Sequence, residues 1–243
     1  MAANVQSRLI GWRRWVHQPQ LLWFRKALFQ VHLWLGIAVG LYICMISITG
    51  SAVVFRRELA QWLMPRGSDF DNGFPAAIRV MEWFVDLHDN LLAGSLGRDI
   101  NGIAALLVTV LILTGAVIWW PGRARWRRSL IVARPARTRR FSWHLHSAFG
   151  FWGFVLLFGW AFTGVYFAFP EPFEWAFNYY DTDPTDFERP GEGVLLTLIR
   201  WHFGRFGGLS IRVLWVILGL LPTVMFVTGF IVWWKRVVSR AER

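Results

Sequence analysis

The composition of the chain excludes an ordinary soluble domain. Of its 243 residues, 55% are hydrophobic, 17% are aromatic and only 17% are charged, with a mean hydropathy of +0.39, whereas soluble domains carry about 25% charged residues. The net charge of +11 is compatible with nucleic-acid binding. The basic residues flank apolar stretches, however, so we expect no nucleic-acid partner. The single Cys44 excludes a disulfide framework and a cysteine-based metal site.

Four stretches without any charged residue are long enough to span a bilayer. They cover residues 33–55, 102–120, 147–169 and 213–234, and a transmembrane helix needs about 20 mostly apolar residues to cross roughly 30 Å of hydrocarbon. Buried helices of soluble proteins are usually shorter and keep a polar face. The pattern predicts an all-α membrane protein with four transmembrane helices in contact with lipid, plus short extracytoplasmic helices.

The distribution of charge predicts the orientation of these spans. Residues 1–30, 121–145 and 235–243 together contain 17 Lys and Arg and one acidic residue. The two remaining loops, 56–100 and 170–212, together contain 9 basic and 14 acidic residues. Because Lys and Arg concentrate in cytoplasmic loops, both termini and the middle loop are predicted to be cytoplasmic, and the two acidic loops are predicted to face outward.

The sequence aligns with itself at an offset of 114 residues without gaps. Several polar, glycine and tryptophan positions recur in this register: Arg25/Arg139, His32/His146, Gly36/Gly150, Thr49-Gly50/Thr163-Gly164, His88/His202, Gly94/Gly208, Arg98/Arg212, Thr114-Gly115/Thr228-Gly229 and Trp119-Trp120/Trp233-Trp234. Each copy reads as a span, an outer loop with a histidine, and a second span. Tandem parallel helix-pair repeats of this kind are related by a pseudo-two-fold axis along the membrane normal.

The chain is therefore predicted to consist of a cytoplasmic basic amino-terminal segment, two repeats of two spans each, and a cytoplasmic basic linker between them. These segments are 1–24, repeat 1 over 25–128 (spans at about 31–55 and 101–120), the linker 129–138, and repeat 2 over 139–243 (spans at about 146–169 and 212–234) with a basic tail.

Four of the six histidines form two symmetric pairs. His32 and His146 lie just inside the cytoplasmic ends of spans one and three, and His88 and His202 precede spans two and four on the outer side. Ionisable residues at membrane depth are costly and usually functional. Two imidazoles opposed across a helix bundle are the axial ligand set of a b-type haem. We therefore expect two haems per chain, with His32 and His146 on the inner iron and His88 and His202 on the outer iron.

Zinc or copper at these histidines is less favoured. No carboxylate or thiolate recurs at a fixed offset in both halves to complete a metal shell. Gly36 and Gly150 lie one turn beyond the inner histidines and would leave room for a flat macrocycle. Taken alone, these glycines are better explained by close helix packing.

Four arginines are candidate partners of haem propionates, because a guanidinium binds a carboxylate in a bidentate way. They are Arg98 and Arg212 at the outer surface, and Arg25 and Arg139 near the inner histidines. Contact with lipid headgroups is an equal alternative for the outer two. The remaining histidines, His17 and His144, are interpreted as non-ligands, although His144 could replace its neighbour His146 if the helix rotated.

Two absences narrow the redox chemistry. The sequence has no Cys-x-x-Cys-His motif, which excludes a covalently attached c-type haem. No Gly-x-Gly-x-x-Gly follows a strand pattern, and no soluble domain is long enough to bind NAD or a flavin. Electrons would have to come from quinol or from a cytoplasmic reductase.

Two segments resemble the signatures of the PepSY-associated transmembrane family. One is Phe29-Gln-Val-His32-Leu-Trp-Leu-Gly36, continuing to Thr49-Gly50 and Phe55-Arg56-Arg57-Glu58-Leu59, and the other is Leu87-His88-Asp-Asn-Leu-Leu-Ala-Gly94, continuing to Gly97-Arg98, Thr114-Gly115 and Trp119-Trp120-Pro121. The resemblance covers roughly residues 25–240 and implies a bacterial inner-membrane location. Members include di-haem reductases of ferric siderophores, whose ligand histidines map onto His32, His88, His146 and His202. The outer loops here, about 45 residues each, are shorter than full PepSY domains.

The leading hypothesis from the sequence is a transmembrane electron conduit that reduces a ferric siderophore or another ferric chelate on the periplasmic side. The acidic cluster Asp181, Asp183, Asp186 and Glu188 would repel an anionic complex unless Arg98, Arg205 or Arg212 guided it. One alternative is a haem-free auxiliary, assembly or regulatory membrane protein. Another is a cytochrome b subunit that passes quinol electrons to a periplasmic enzyme.

Overall fold

The computed structural model describes residues 11–64, 76–124, 126–132, 138–180 and 190–241, and every regular element within them is helical. The α-helices are α1 (Gly11–His17), α2 (Trp23–Ala38), α3 (Gly40–Val53), α4 (Arg56–Leu63), α5 (Ala76–Asn90), α6 (Gly94–Trp119), α7 (Trp126–Ser129), α8 (Thr138–Trp152), α9 (Phe154–Ala168), α10 (Pro170–Tyr180), α11 (Pro190–His202), α12 (Gly208–Gly219) and α13 (Leu221–Ala241). A short 3₁₀ helix lies at Pro19–Leu21.

Two helical stretches are long and apolar enough to cross a membrane by length and composition. They are Gly94–Trp119, which is α6, and Gly208–Val237, which joins α12 to most of α13. Two further pairs of helices qualify together, α2 with α3 and α8 with α9, so the described part of the chain has up to four spans. The protein is a membrane protein with apolar transmembrane helices.

The first and third predicted spans are bent. The axes of α2 and α3 differ by 60°, and those of α8 and α9 differ by 68°. The first break falls at Val39, whose φ of −97° and ψ of 5° leave the helical region. Its amide still donates to the carbonyl of Leu35, at 2.9 Å. Glycine lowers helix propensity, and Gly40 follows the first break while Gly153 lies at the second.

The helices extend beyond the spans that hydropathy alone delimits. The helix that contains the second predicted span begins at Gly94, and the helix that contains the start of the first predicted span begins at Trp23. Hydropathy therefore indicates the apolar part of a helix but not where the helix begins.

The chain divides into two compact units. The first contains Met1–Leu41, Leu107–Phe158 and Val224–Arg243, and the second contains Tyr42–Leu106 and Gly159–Thr223. The first unit includes His32 and His146, and the second includes His88 and His202. Each histidine pair predicted from the sequence thus belongs to one unit.

The distribution of exposed and buried side chains is the one expected for helices surrounded by lipid. Large apolar residues on the predicted spans are exposed, including Leu41 at 79%, Val155 at 74% and Ile217 at 62%, whereas Thr163 is 1% exposed. Three equivalent threonines, Thr49, Thr114 and Thr228, are also buried. Hydrocarbon offers no partner for a hydroxyl, so polar groups in a membrane protein turn inward and are satisfied by the protein itself.

Candidate cofactor site

His32 and His146 face each other in the first unit. Their ring centroids are 6.3 Å apart and their ring planes are inclined by 81°. Two imidazoles on opposite sides of one metal ion have centroids roughly 6 Å apart, because each metal–nitrogen distance is about 2 Å and the nitrogen lies about 1 Å from its ring centroid. The separation therefore fits a single metal ion between the two rings.

Both inner histidines use Nδ1 for the same pair of contacts. In each case the nitrogen lies 2.9 Å from a backbone carbonyl oxygen and 3.3 Å from a threonine hydroxyl: Leu111 and Thr114 for His32, Met225 and Thr228 for His146. A carbonyl oxygen can only accept, so Nδ1 is the protonated nitrogen and donates to it. A neutral imidazole carries one N–H, which leaves the lone pair of Nε2 free to bind a metal.

His88 in the second unit has the same arrangement. Its Nδ1 lies 3.1 Å from the carbonyl oxygen of Ile46 and 3.1 Å from the hydroxyl of Thr49. His202 differs in one respect, because Thr163 Oγ1 at 2.6 Å is the Nδ1 hydrogen-bond partner within the described residues.

The threonine hydroxyls act as acceptors for these rings. Each donates its single proton to a carbonyl one turn earlier in its own helix, such as that of Gly159 for Thr163 at 2.7 Å and that of Val224 for Thr228 at 2.7 Å. The oxygen lone pairs then remain for the imidazole N–H. The backbone carbonyls thus fix the tautomer of His32, His88 and His146. At His202 the hydroxyl of Thr163 is the described partner of Nδ1.

Glycines allow three of the imidazoles to lie against a helix backbone. A Cβ atom added to Gly115 would lie 2.9 Å from Cε1 of His32, and one added to Gly229 would lie 3.1 Å from Cε1 of His146. The corresponding distance from Gly50 to Cε1 of His88 is 2.8 Å. Contacts below 3.0 Å are essentially not tolerated. The Thr-Gly pairs at 49–50, 114–115 and 228–229 therefore each supply a hydroxyl and a close backbone approach to one ring. A Cβ on Gly164 would instead meet that of Ala105 at 3.4 Å.

The glycines singled out from the helix faces have a different environment. A Cβ on Gly36 would meet the side chain of Leu111 at 3.6 Å, and one on Gly150 would meet that of Met225 at 3.1 Å. These neighbours are the residues whose carbonyls accept from the inner histidines. Gly36 and Gly150 therefore pack against the elements that hold the rings rather than against the rings themselves.

The backbone carbonyls of the outer histidines are anchored by different side chains in the two halves. Asn101 donates from Nδ2 to the carbonyls of His88 and Asp89, both at 2.9 Å. Trp160 donates from Nε1 to the carbonyl of His202 at 3.2 Å. The ends of α5 and α11, where these histidines lie, are thus fixed by hydrogen bonds from neighbouring spans.

Burial keeps the outer imidazoles neutral. It lowers the pKa of His88, against smaller opposing effects of the Ile46 hydrogen bond and of Asp89. Burial also lowers the pKa of His202 to about 3, with a further contribution from the charge of His88. Neutral imidazole is the form that binds a metal.

The outer arginines predicted as propionate partners are engaged with carboxylates. Arg98 forms an exposed ion pair with Asp89 at 2.6 Å. Arg212 pairs with Glu58 and also lies over the ring of Phe55, at 5.5 Å from its centroid.

Of the inner arginines, Arg25 donates to the carbonyls of Ile118 and Trp120 at the end of α6, and its buried Nε has no partner in the described part of the chain. The side chain of Arg139 lies outside the described residues. Nδ1 of His144 is buried without a described partner, and its ring packs on Trp143.

Several residues of this site were not assigned from the sequence. They are Thr49, Thr114, Thr163, Thr228, Asn101 and Trp160. The threonines had a recognisable signal, because Thr-Gly recurs at one fixed separation from a histidine in both halves: 82 residues for the inner pairs and 39 for the outer pairs. Asn101 and Trp160 had none, since they occupy non-equivalent positions.

A purely protein-ligated metal site finds no support in the described residues. No group of three or more His, Cys, Asp or Glu side chains among them could hold a metal ion. Structural zinc sites use four protein ligands. A pair of neutral imidazoles without further ligands instead suits a metal whose other positions are filled by a macrocycle.

The chain belongs to the family described as the PepSY-associated TM region. The family model matches residues 29–69, 66–192 and 177–236, which together extend over most of the sequence. No curated protein and no solved structure matches the chain.

Proposed function

We propose that the protein binds two b-type haems and carries electrons across a bacterial inner membrane to a ferric chelate, such as a ferric siderophore, on the periplasmic side. The observation that carries this proposal is the state of the four histidines. Each is hydrogen-bonded through Nδ1, and the inner two have the separation that a shared metal requires. His32 and His146 would hold the inner haem, and His88 and His202 the outer one.

The chain's own residues would orient and tune the ligands. The carbonyls of Ile46, Leu111 and Met225 accept from Nδ1 and increase the basicity of the opposite nitrogen. The threonines prevent ring rotation. Bound haem supplies one-electron chemistry through its iron, and the protein contributes orientation and burial. Two one-electron transfers from a quinol would reduce two ferric ions to ferrous ions and release two protons.

The proposed orientation of the chain in the membrane rests on the distribution of its basic and acidic residues. The 17 basic residues of the termini and the middle loop favour the cytoplasmic face, which would put the inner pair near the electron donor. The contacts of His32 and His146 recur with the same distances 114 residues apart. This recurrence supports a duplicated helix-pair unit with four spans.

The decisive experiment is an optical spectrum of the purified full chain, oxidised and dithionite-reduced, with haem quantified per chain. We expect two b-type haems. The His32→Ala/His146→Ala protein and the His88→Ala/His202→Ala protein should each retain one, since each pair serves one iron. The His17→Ala protein is the matched control and should retain both.

The alternatives give different results. Absence of haem in protein produced with ample haem supply would overturn the electron-transfer proposal and favour a haem-free auxiliary protein. Two haems without oxidation of the reduced protein by ferric chelates would instead favour a cytochrome b subunit that serves a periplasmic enzyme. Stopped-flow mixing of the reduced protein with ferric chelates distinguishes these outcomes.

A further inference from the structure

Three arginines in the second unit form a cationic group beside His202. The guanidinium carbons of Arg56 and Arg205 lie 5.9 and 4.9 Å from the centroid of the Phe203 ring. That ring is 5.4 Å from the ring of His202, centroid to centroid. Arg57 directly follows Arg56 in the sequence, and its charge contributes to the lowered pKa of Arg205. We call Arg56, Arg57, Arg205 and Phe203 the arginine cluster.

The cluster differs from the other arginines of the second unit. Arg98 and Arg212 are neutralised by Asp89 and Glu58. In the described part of the chain, Arg56, Arg57 and Arg205 form no ion pair. Two of them, Arg56 and Arg205, are half-buried, where like charges are poorly screened.

The physical consequence is an unfavourable concentration of positive charge. Burial and the charges of Arg57 and Arg56 lower the pKa of Arg205. Stacking on Phe203 provides some compensation, because cations are attracted to an aromatic face. It does not neutralise three charges. An oxyanion would do so, and guanidinium groups bind such anions through paired, charge-assisted hydrogen bonds.

We propose that the arginine cluster is a binding site for an anion with several carboxylate or phosphate oxygens. In combination with the proposed function, on which this assignment of the substrate rests, the ligand is an anionic ferric carboxylate chelate held beside the outer histidine pair. An anionic phospholipid headgroup has the same chemistry and is the other source to be distinguished.

Binding is tested with gallium(III) citrate, which has the chemistry of the ferric complex but does not accept an electron. The full chain in neutral detergent is titrated by isothermal calorimetry. The Arg56→Gln/Arg205→Gln protein should bind at least about tenfold more weakly, because it loses two charge-assisted guanidinium contacts, which are stronger than neutral hydrogen bonds. The Arg79→Gln/Arg200→Gln protein is the control of equal charge, since both arginines are exposed in the same unit, and should bind within about twofold of the parent.

A conservative double variant guards against misfolding. Arg56→Lys/Arg205→Lys keeps the charge but removes the planar fork, and it should weaken binding several-fold. Lipid is tested by native mass spectrometry with phosphatidylglycerol against phosphatidylcholine. Selective phosphatidylglycerol binding that the Gln variant loses, without citrate binding, would retain the anion site and assign it to lipid.

Unchanged binding of both anions in the Gln variant, or no binding of either by the parent, would overturn the proposal. Its failure can be told apart from failure of the proposed function. Binding of gallium citrate requires no haem, so a haem-free protein that binds gallium citrate would overturn only the proposed electron transfer. A two-haem protein that binds neither anion would overturn only the assignment of the arginine cluster as an anion-binding site.

Discussion

Four buried threonines each contact one of the paired histidines, and these contacts set the histidines apart from ordinary polar residues of a helix bundle. A solitary histidine can present either nitrogen to a ligand. Here the proton of each threonine is committed to its own helix, so its oxygen must accept from Nδ1. The threonine hydroxyl thereby favours the imidazole tautomer that is protonated on Nδ1, and the same contact recurs at all four histidines.

Thr163 should be the most important of the four for stability. Thr163→Val leaves the buried Nδ1–H of His202 without its described acceptor, at a cost of about 1–3 kcal/mol. Thr49→Val should cost less, because the carbonyl of Ile46 still accepts from His88. Unfolding in mixed micelles of rising SDS content, followed by circular dichroism, measures both. Equal losses would show that the carbonyl is not an adequate substitute.

Gly115→Ala should displace the ring of His32. The new methyl group would lie 2.9 Å from Cε1, and overpacking of this kind costs about 1–3 kcal/mol. Under the proposed function, about half of the haem should be lost, since one of two pairs is disturbed. The control is Gly193→Ala in α11, where the added Cβ has no atom within 4 Å. Haem per chain, by pyridine haemochromogen, should be unchanged in the control.

At the scale of elements, the helices that carry the outer histidines depend on hydrogen bonds from the spans. The last carbonyls of a helix have no partner within it. Asn101 supplies one to both His88 and Asp89, and its Oδ1 in turn accepts from the hydroxyl of Tyr42 at 2.6 Å. The turn that follows α5 places Leu91 and Leu92 at φ values of 53° and 61°, where a side chain is strained. An external anchor is therefore needed to keep this end in place.

Asn101→Ala should loosen the end of α5. Loss of the two hydrogen bonds should raise amide exchange in the peptide around residues 84–90 by roughly tenfold, which corresponds to about 1.4 kcal/mol of local stability. The matched control is Asn90→Ala, whose side chain makes a single exposed contact of 3.4 Å with Asp86. Hydrogen–deuterium exchange with mass spectrometry compares the two. Similar exchange in both variants would indicate that α5 is held by apolar packing alone.

Some features of the helices were predictable from the sequence, and others were not. Charge-free runs indicated the apolar helices because hydrocarbon tolerates few charges. The recurrence of His32 at His146 in the 114-residue repeat predicted that the two rings would oppose each other. The bends after Ala38 and Trp152 were not foreseen. Glycines are common in straight transmembrane helices too, so a bend depends on what packs against them, as Phe226 does at Gly40. Asn101 was missed because its position has no equivalent in the other repeat, where Trp215 occupies it.

At the scale of the whole molecule, the orientation in the membrane decides the direction of any electron flow. The cytoplasmic assignment of the middle loop rests on eight arginines and no acidic residue in 121–145. The loop at 170–212 contains seven acidic residues and four basic ones. Under the proposed function, a topology with these two loops on opposite faces would place the inner histidines on the side of the electron donor.

Cysteine accessibility tests this topology. In a Cys44→Ala background, the exposed residues Ile131 and Val194 are replaced one at a time by Ile131→Cys and Val194→Cys. A membrane-impermeant maleimide applied to spheroplasts should label only the Val194→Cys protein, because its loop lacks the excess of arginine that retains a segment in the cytoplasm. Inverted vesicles should show the converse, and permeabilised cells should label both. The reverse labelling pattern would exchange the membrane faces of the two histidine pairs. An electron that leaves the protein beside the arginine cluster would then enter the cytoplasm, and an external ferric chelate could no longer be reduced at that end.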